Sequence, residues 1–159
     1  MKSLPVAAWE AAAMPVVMLV PAWVKSVLFW IDRAVWHPVP MLAGVALWLW
    51  TGDLRYAVLM LGAYPLEMLV KGTCRRGRWG DSGSYAAVHE YGFPSGDVVA
   101  STLLGLLAAA GLGGWWWAAP VLAPLVIGLA RVVAHGHYPL DVAGGVILGV
   151  AWFAVVYGR

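Results

Sequence analysis

The feature that most constrains this chain is a succession of apolar runs too long and too continuous for a soluble core. Val142 to Tyr157 carries no charged side chain, Val121 to Leu129 is equally bare, and Arg55 to Val70 is nearly so. A helix crosses the hydrocarbon of a bilayer with about 20 such residues. Composition agrees: 62% of the 159 residues are hydrophobic and only 11% charged, where a soluble domain is roughly half apolar and about a quarter charged. The expectation is an all-α, multi-pass transmembrane helical bundle of about six spans, forming one membrane-embedded domain over residues 1–159. The net charge of +2 is too small and too scattered for nucleic acid, so the bilayer is the expected partner. Several of the eleven tryptophans, notably Trp48, Trp50 and Trp115 to Trp117, sit near the ends of apolar runs, where an interfacial belt belongs. Cys74 is alone, which excludes an internal disulfide.

In chain order, Leu4 to Val24 reads as a first span kinked by Pro15 and Pro21. Glu10 and the two prolines interrupt it, and no small-x-small site follows, so it reads as a retained membrane segment and not a cleaved leader. Lys25 to His37 mixes apolar and charged residues and suits a helix lying at the interface. Met41 to Thr51 is a short apolar run closed by a Gly52-Asp53 turn. Arg55 to Val70 follows, then a polar, glycine-rich loop from Gly72 to Phe93. Pro94 to Gly111, Trp115 to Val133 and Pro139 to Tyr157 complete the set, with proline placed at a helix start where its missing N–H costs nothing.

The stretch Ala130 to Asp141, ARVVAHGHYPLD, lies between two of these runs. Polar groups tolerated so close to hydrocarbon usually face a cavity and are functional. Arg131 offers a permanently charged fork suited to phosphate oxygens. His137 is a candidate nucleophile or base, and Asp141, in the first turn of a helix beginning near Pro139, can orient its ring. Alternating helix directions place Lys71, Arg75, Arg76, Arg78, Ser95, Asp97, Arg131, His137 and Asp141 at one membrane face.

Three of these clusters, Lys71-x6-Arg78, Pro94-Ser95-Gly96-Asp97 and Arg131-x5-His137-x3-Asp141, match in order and spacing. Together they resemble the signature of the type 2 phosphatidic acid phosphatase superfamily of membrane lipid phosphatases (K-x6-R-P, P-S-G-H and S-R-x5-H-x3-D). The resemblance spans residues 71 to about 150. It implies a mechanism without metal or cofactor in which His137 attacks phosphorus to give a phosphohistidine while Asp141 holds its ring. Lys71, Arg78 and Arg131 would clamp the phosphoryl oxygens, and Ser95 and the Gly96 N–H, at a helix N-terminus, would add donors. Three positions depart from the signature. Trp79 replaces a proline and Ala130 a serine. Asp97 replaces the histidine that protonates the leaving alkoxide. A carboxylic acid can do this only when protonated, and neighbouring cations favour the ionised form. Asp97 would therefore act at low pH or once the substrate phosphate offsets the cations; alternatively His89 or His135 lends the proton.

Other residues read more plainly. Arg75 and Arg76 are expected to anchor lipid headgroups, His135 to be structural, Glu67 to pair with Lys71, and Gly145 and Gly149 to let helices pack closely; without the other two motifs, Pro94 to Asp97 would read as an ordinary helix start capped by Ser95. Cys74 does not begin a C-x5-R loop, because position 80 is Gly. His135 and His137, with no third histidine near in sequence, do not make a metal site. The functional expectation is an integral-membrane phosphatase acting on a lipid phosphomonoester or diphosphate. The alternative is a phosphate-lipid binding protein of the same fold whose acid was lost at Asp97. The soluble haloperoxidases that share these motifs are disfavoured by composition. Lys2, Arg55 and Arg159 on the far face place the site outside the cytoplasm by the positive-inside rule, with Lys25 and Arg33 counting the other way. Phosphatidate, phosphatidylglycerophosphate, polyprenyl (di)phosphates and lipid A phosphates are all compatible substrates, and oligomeric state is open.

Overall fold

The computed structural model describes residues 6–34, 38–77, 91–133 and 137–158. Seven α-helices follow one another there: α1 (Ala8–Met18), α2 (Ala22–Ala34), α3 (Pro38–Thr51), α4 (Arg55–Cys74), α5 (Gly96–Leu112), α6 (Ala119–Val133) and α7 (Pro139–Tyr157). A 3₁₀ turn, Gly114–Ala118, leads into α6. Among the described residues, three segments are long and apolar enough to cross a membrane: Arg55–Cys74, Gly114–Val133 and Pro139–Tyr157. Pro38–Thr51 and Gly96–Leu112 are shorter apolar helices beside them.

The N-terminal expectation needs correcting. Leu4 to Val24 does not form one kinked span, because α1 stops at Met18 and α2 starts at Ala22. Pro15 is accommodated inside α1. Pro21 has no N–H with which to continue that helix and disfavours helical backbone at Val20. Its carbonyl instead accepts from the Lys25 N–H at 3.1 Å and opens α2. The apolar side of α2 then packs Leu28, with Val20 and Val24, against Ala130 and Val133 of α6.

The core lies where α4, α5 and α7 meet. Leu59, Met60 and Ala63 of α4 pack with Val99, Leu103 and Leu107 of α5, and Leu148, Trp152 and Phe153 of α7 close over them. The small-residue step on α7 makes that closeness possible. A Cβ on Gly145 would stand 2.7 Å from the Ser95 carbonyl oxygen, and one on Gly149 would stand 2.9 Å from Thr102 Cβ. Helix α5 turns into the 3₁₀ segment through Gly113 and Gly114, both at positive φ (62° and 53°), a conformation that costs other residues more. The result sets the C-terminal ends of α4 and α6 beside the N-terminal ends of α5 and α7. Trp50, Trp115 and Trp117 lie exposed at the opposite end, as an aromatic belt requires.

Candidate active site

At the crowded end, the N-termini of α5 and α7 are tied together: the Ser95 N–H donates to the Asp141 carbonyl at 3.0 Å. The chain enters α5 through a cis Phe93–Pro94 peptide, and α5 begins at Gly96, two residues later than Pro94 had suggested. Ser95 occupies the cap position but makes no capping hydrogen bond. Its hydroxyl is buried without a hydrogen-bond partner. Asp97, in the first turn of α5, points at the last turn of α6, where its Oδ2 lies 3.3 Å from Arg131 Nη1. The other arm of that guanidinium, Nη2, is 3.2 Å from His137 Nε2. His137 Nδ1 in turn faces Asp141 Oδ2 at 3.6 Å. Asp97, Arg131, His137 and Asp141 thus form one continuous polar chain, with His137 and Asp141 buried.

The start of α7 fixes Asp141. Its Oδ2 accepts the Tyr138 backbone N–H at 2.8 Å, so the carboxylate closes the first turn. A side chain at position 92 would crowd this group, since a Cβ on Gly92 would stand 2.8 Å from Oδ2. With Oδ2 toward Nδ1, the imidazole is set to carry its proton there and leave Nε2 as the basic, outward nitrogen. Lys71, in the last turn of α4, pairs with Glu67 one turn earlier, both buried. The Glu67 carboxylate lies so close to Gly96 that a side chain there would have to displace it. Through it Lys71 is linked to the start of α5. Arg78, His89 and His135 lie outside the described residues.

Two side chains that sequence reasoning set aside belong to this cluster. Helix α4 ends with Arg75 in the left-handed conformation (φ 47°), which turns the next residue inward. Arg75 is exposed, whereas Arg76 is buried and donates Nη1 to Asp141 Oδ1 at 2.7 Å. Arg76 is therefore no headgroup anchor. Its Nη2 pairs with Glu10 of α1, completely buried. Three described cations, Lys71, Arg76 and Arg131, face four carboxylates, Glu10, Glu67, Asp97 and Asp141. A lone glutamate in an apolar helix was the available signal for Glu10; nothing in the spacing singled out Arg76.

The motif-bearing part of the chain, residues 55–158, matches the family model of the PAP2 superfamily. The chain belongs to the PAP2 superfamily. Its fold matches the crystal structure described as the first transmembrane PAP2 type phosphatidylglycerolphosphate phosphatase from Bacillus subtilis. The TM-score is 0.69, covering 94% of this chain and 82% of that one at 19% identity. At that identity the likeness is one of fold. No curated protein sequence matches it. Among the described residues, no group of three His, Cys, Asp or Glu side chains is arranged to hold a metal ion.

Proposed function

We propose that this PAP2 protein hydrolyses a lipid phosphomonoester or diphosphate at the bilayer surface through a phosphohistidine at His137. The observation that carries the reading is the placement of His137 between Arg131, on Nε2, and Asp141, on Nδ1. Nε2 attacks phosphorus in line with the leaving oxygen. As the N–P bond forms and the P–O bond to the lipid breaks, the lipid alkoxide takes a proton from Asp97. Water then attacks the phosphohistidine, Asp97 accepts its proton, and the P–N bond breaks to release phosphate. Arg131, Lys71 and Arg78 neutralise the phosphoryl oxygens, and the partnerless Ser95 hydroxyl adds a donor.

Asp97 lies beside Arg131, its Oδ2 3.3 Å from Nη1. An arriving phosphate competes with that carboxylate for the guanidinium. One and two turns along from Asp97 and Arg131, Ser101, Leu104, Ala123 and Ile127 line an apolar groove of about 360 Å³ between α5 and α6. This supports a lipid tail lying sideways between the helices, directly below the leaving oxygen. The site is assigned to the extracytoplasmic face on the positive-inside argument.

The alternative is a phosphate-lipid binding protein without turnover, its acid lost at Asp97. Phosphate release by detergent-solubilised protein between about pH 4 and pH 8 separates the two, because a general acid must titrate somewhere in that range. Phosphatidate, phosphatidylglycerophosphate and polyprenyl diphosphate form the substrate panel, with His137→Ala as control. Turnover abolished by His137→Ala is expected. Absence of turnover at every pH and on every lipid would establish the binder instead.

A further inference from the structure

A histidine that becomes cationic when phosphorylated needs a negative group behind it, and here that group is itself held by an arginine. Arg76 donates to Asp141 Oδ1, leaving Oδ2 for the Tyr138 N–H and the His137 ring. Its guanidinium carbon also stands 5.3 Å from the centre of the Tyr138 ring. Taken as a pair, Arg76 and Asp141 are neutral. They would offer a cationic imidazole orientation but little charge. Glu10 changes that sum. Its Oε2 pairs with Arg76 and its Oε1 accepts the Leu140 N–H at 2.9 Å, in the first turn of α7. All three side chains are almost entirely withheld from solvent, where charges interact strongly and unmatched ones are costly.

We infer that Glu10 and Arg76 are positioning residues for the reaction, forming with Asp141 a buried triad of net charge −1 behind His137. Arg76 fixes the rotamer of Asp141, and Glu10 offsets the charge of Arg76 so that Asp141 still acts as an anion toward the ring. Glu10 lies on α1, outside the residues 55–158 that the family model covers. The N-terminal helix is thereby part of the machinery and not only a membrane anchor. This inference rests on the phosphohistidine reading above.

The test uses the full chain in detergent with p-nitrophenyl phosphate as the probe, following steady-state release and the rate of phosphoenzyme formation. Wild type must turn over and His137→Ala must not; failure of that control overturns the functional reading and this inference with it. Given the control, Glu10→Gln is expected to lower kcat and the rate of phosphoenzyme formation by about tenfold or more, the range found when a group behind an active ligand is removed. KM should stay within about twofold, because the triad does not touch phosphate. Arg76→Met should behave similarly. The double variant Glu10→Gln/Arg76→Met leaves Asp141 as a single anion, so it should lose less than the product of the two single losses. That double variant also serves if Glu10→Gln alone does not fold, since it removes Arg76 together with its partner Glu10; wild-type kcat in it would overturn the inference. So would wild-type kcat in Glu10→Gln, or single effects that simply multiply.

Discussion

Replacing Asp97 with asparagine should move binding and turnover in opposite directions. Asp97 Oδ2 stands 3.3 Å from Arg131 Nη1. At an effective dielectric constant near 20, two unit charges at that separation attract by roughly 5 kcal/mol before desolvation is subtracted. A charge-assisted hydrogen bond typically retains about 1.5–3 kcal/mol of such a figure. A phosphate that must displace Asp97 from Arg131 meets part of that cost, and Asp97→Asn removes it. Each 1.4 kcal/mol is about tenfold in affinity, so product inhibition by inorganic phosphate should tighten by about tenfold or more. The same substitution deletes the proton donor, for which general-acid catalysis sets a loss of about 10²–10⁴ in kcat on a lipid phosphomonoester. A substrate with a good leaving group separates the two effects, since p-nitrophenolate departs without a proton. In phosphoenzyme formation, which precedes the water attack that also uses Asp97, Asp97→Asn should therefore be far less impaired on p-nitrophenyl phosphate than on phosphatidate. Equal loss on both substrates in that step, or an unchanged inhibition constant for phosphate, would refute the reasoning.

Other consequences follow from the packing and the far end of the bundle. Gly145→Ala forces a Cβ to 2.7 Å from the Ser95 carbonyl; backbone cannot retreat as a side chain can, so a loss of about 1–3 kcal/mol is expected, seen as a lower melting temperature in detergent. Ala123→Phe should fill the groove between α5 and α6, raising KM for long-chain lipid phosphates while leaving p-nitrophenyl phosphate turnover unchanged. The Arg55 side chain, by its hydrogen bonds to Asp53 on the opposite face, holds the Asp53 carboxyl below the ordinary carboxylate range. A depressed carboxyl stabilises the fold above its unfolded value and loses that contribution as pH falls through the folded one. Asp53→Asn should thus cost a little stability at neutral pH and nothing in strong acid, in thermal melts across the acid range.

The bundle and much of the cluster were legible because hydropathy and spacing report directly on them. Alternating helix direction sufficed to gather Lys71, Ser95, Asp97, Arg131, His137 and Asp141 at one end, and proline at position 139 marked the helix start that carries Asp141. The small-x3-small step of Gly145 and Gly149 reported helix contact for the same reason. What escaped depended on backbone geometry that no periodicity encodes. Arg75 and Arg76 are identical neighbours in sequence, yet one left-handed residue at the end of α4 sends the first to solvent and the second into the core. Glu10 was legible as an oddity and not as a partner, since its contact lies 66 residues away. Pro21 was read as a kink, but at a position already followed by a polar turn of helix it separates two helices instead.

The charge balance of the site suggests how an enzyme of this kind can keep several cations buried without a substrate. Lys71, Arg76 and Arg131 are each held by at least one carboxylate, but the pairs are not equally accessible. Arg76 with Glu10 is 2% and 0% exposed, and Lys71 with Glu67 is 3% and 3%. Arg131 with Asp97 is 19% and 10% exposed, so this pair is where solvent, and by the same route a phosphate, reaches the cluster. Breaking a buried pair by removing one partner typically costs about 3–5 kcal/mol, which makes the inner pairs poor candidates for exchange. The outer pair, partly solvated, exchanges more cheaply. A phosphate entering at Arg131 also arrives within reach of His137 Nε2, which that same guanidinium contacts. The carboxylate that must give way is the one proposed to carry the proton. Histidine in this place would leave Arg131 without that counter-ion; aspartate supplies one, and in the proposed reaction phosphate takes over its place on Arg131.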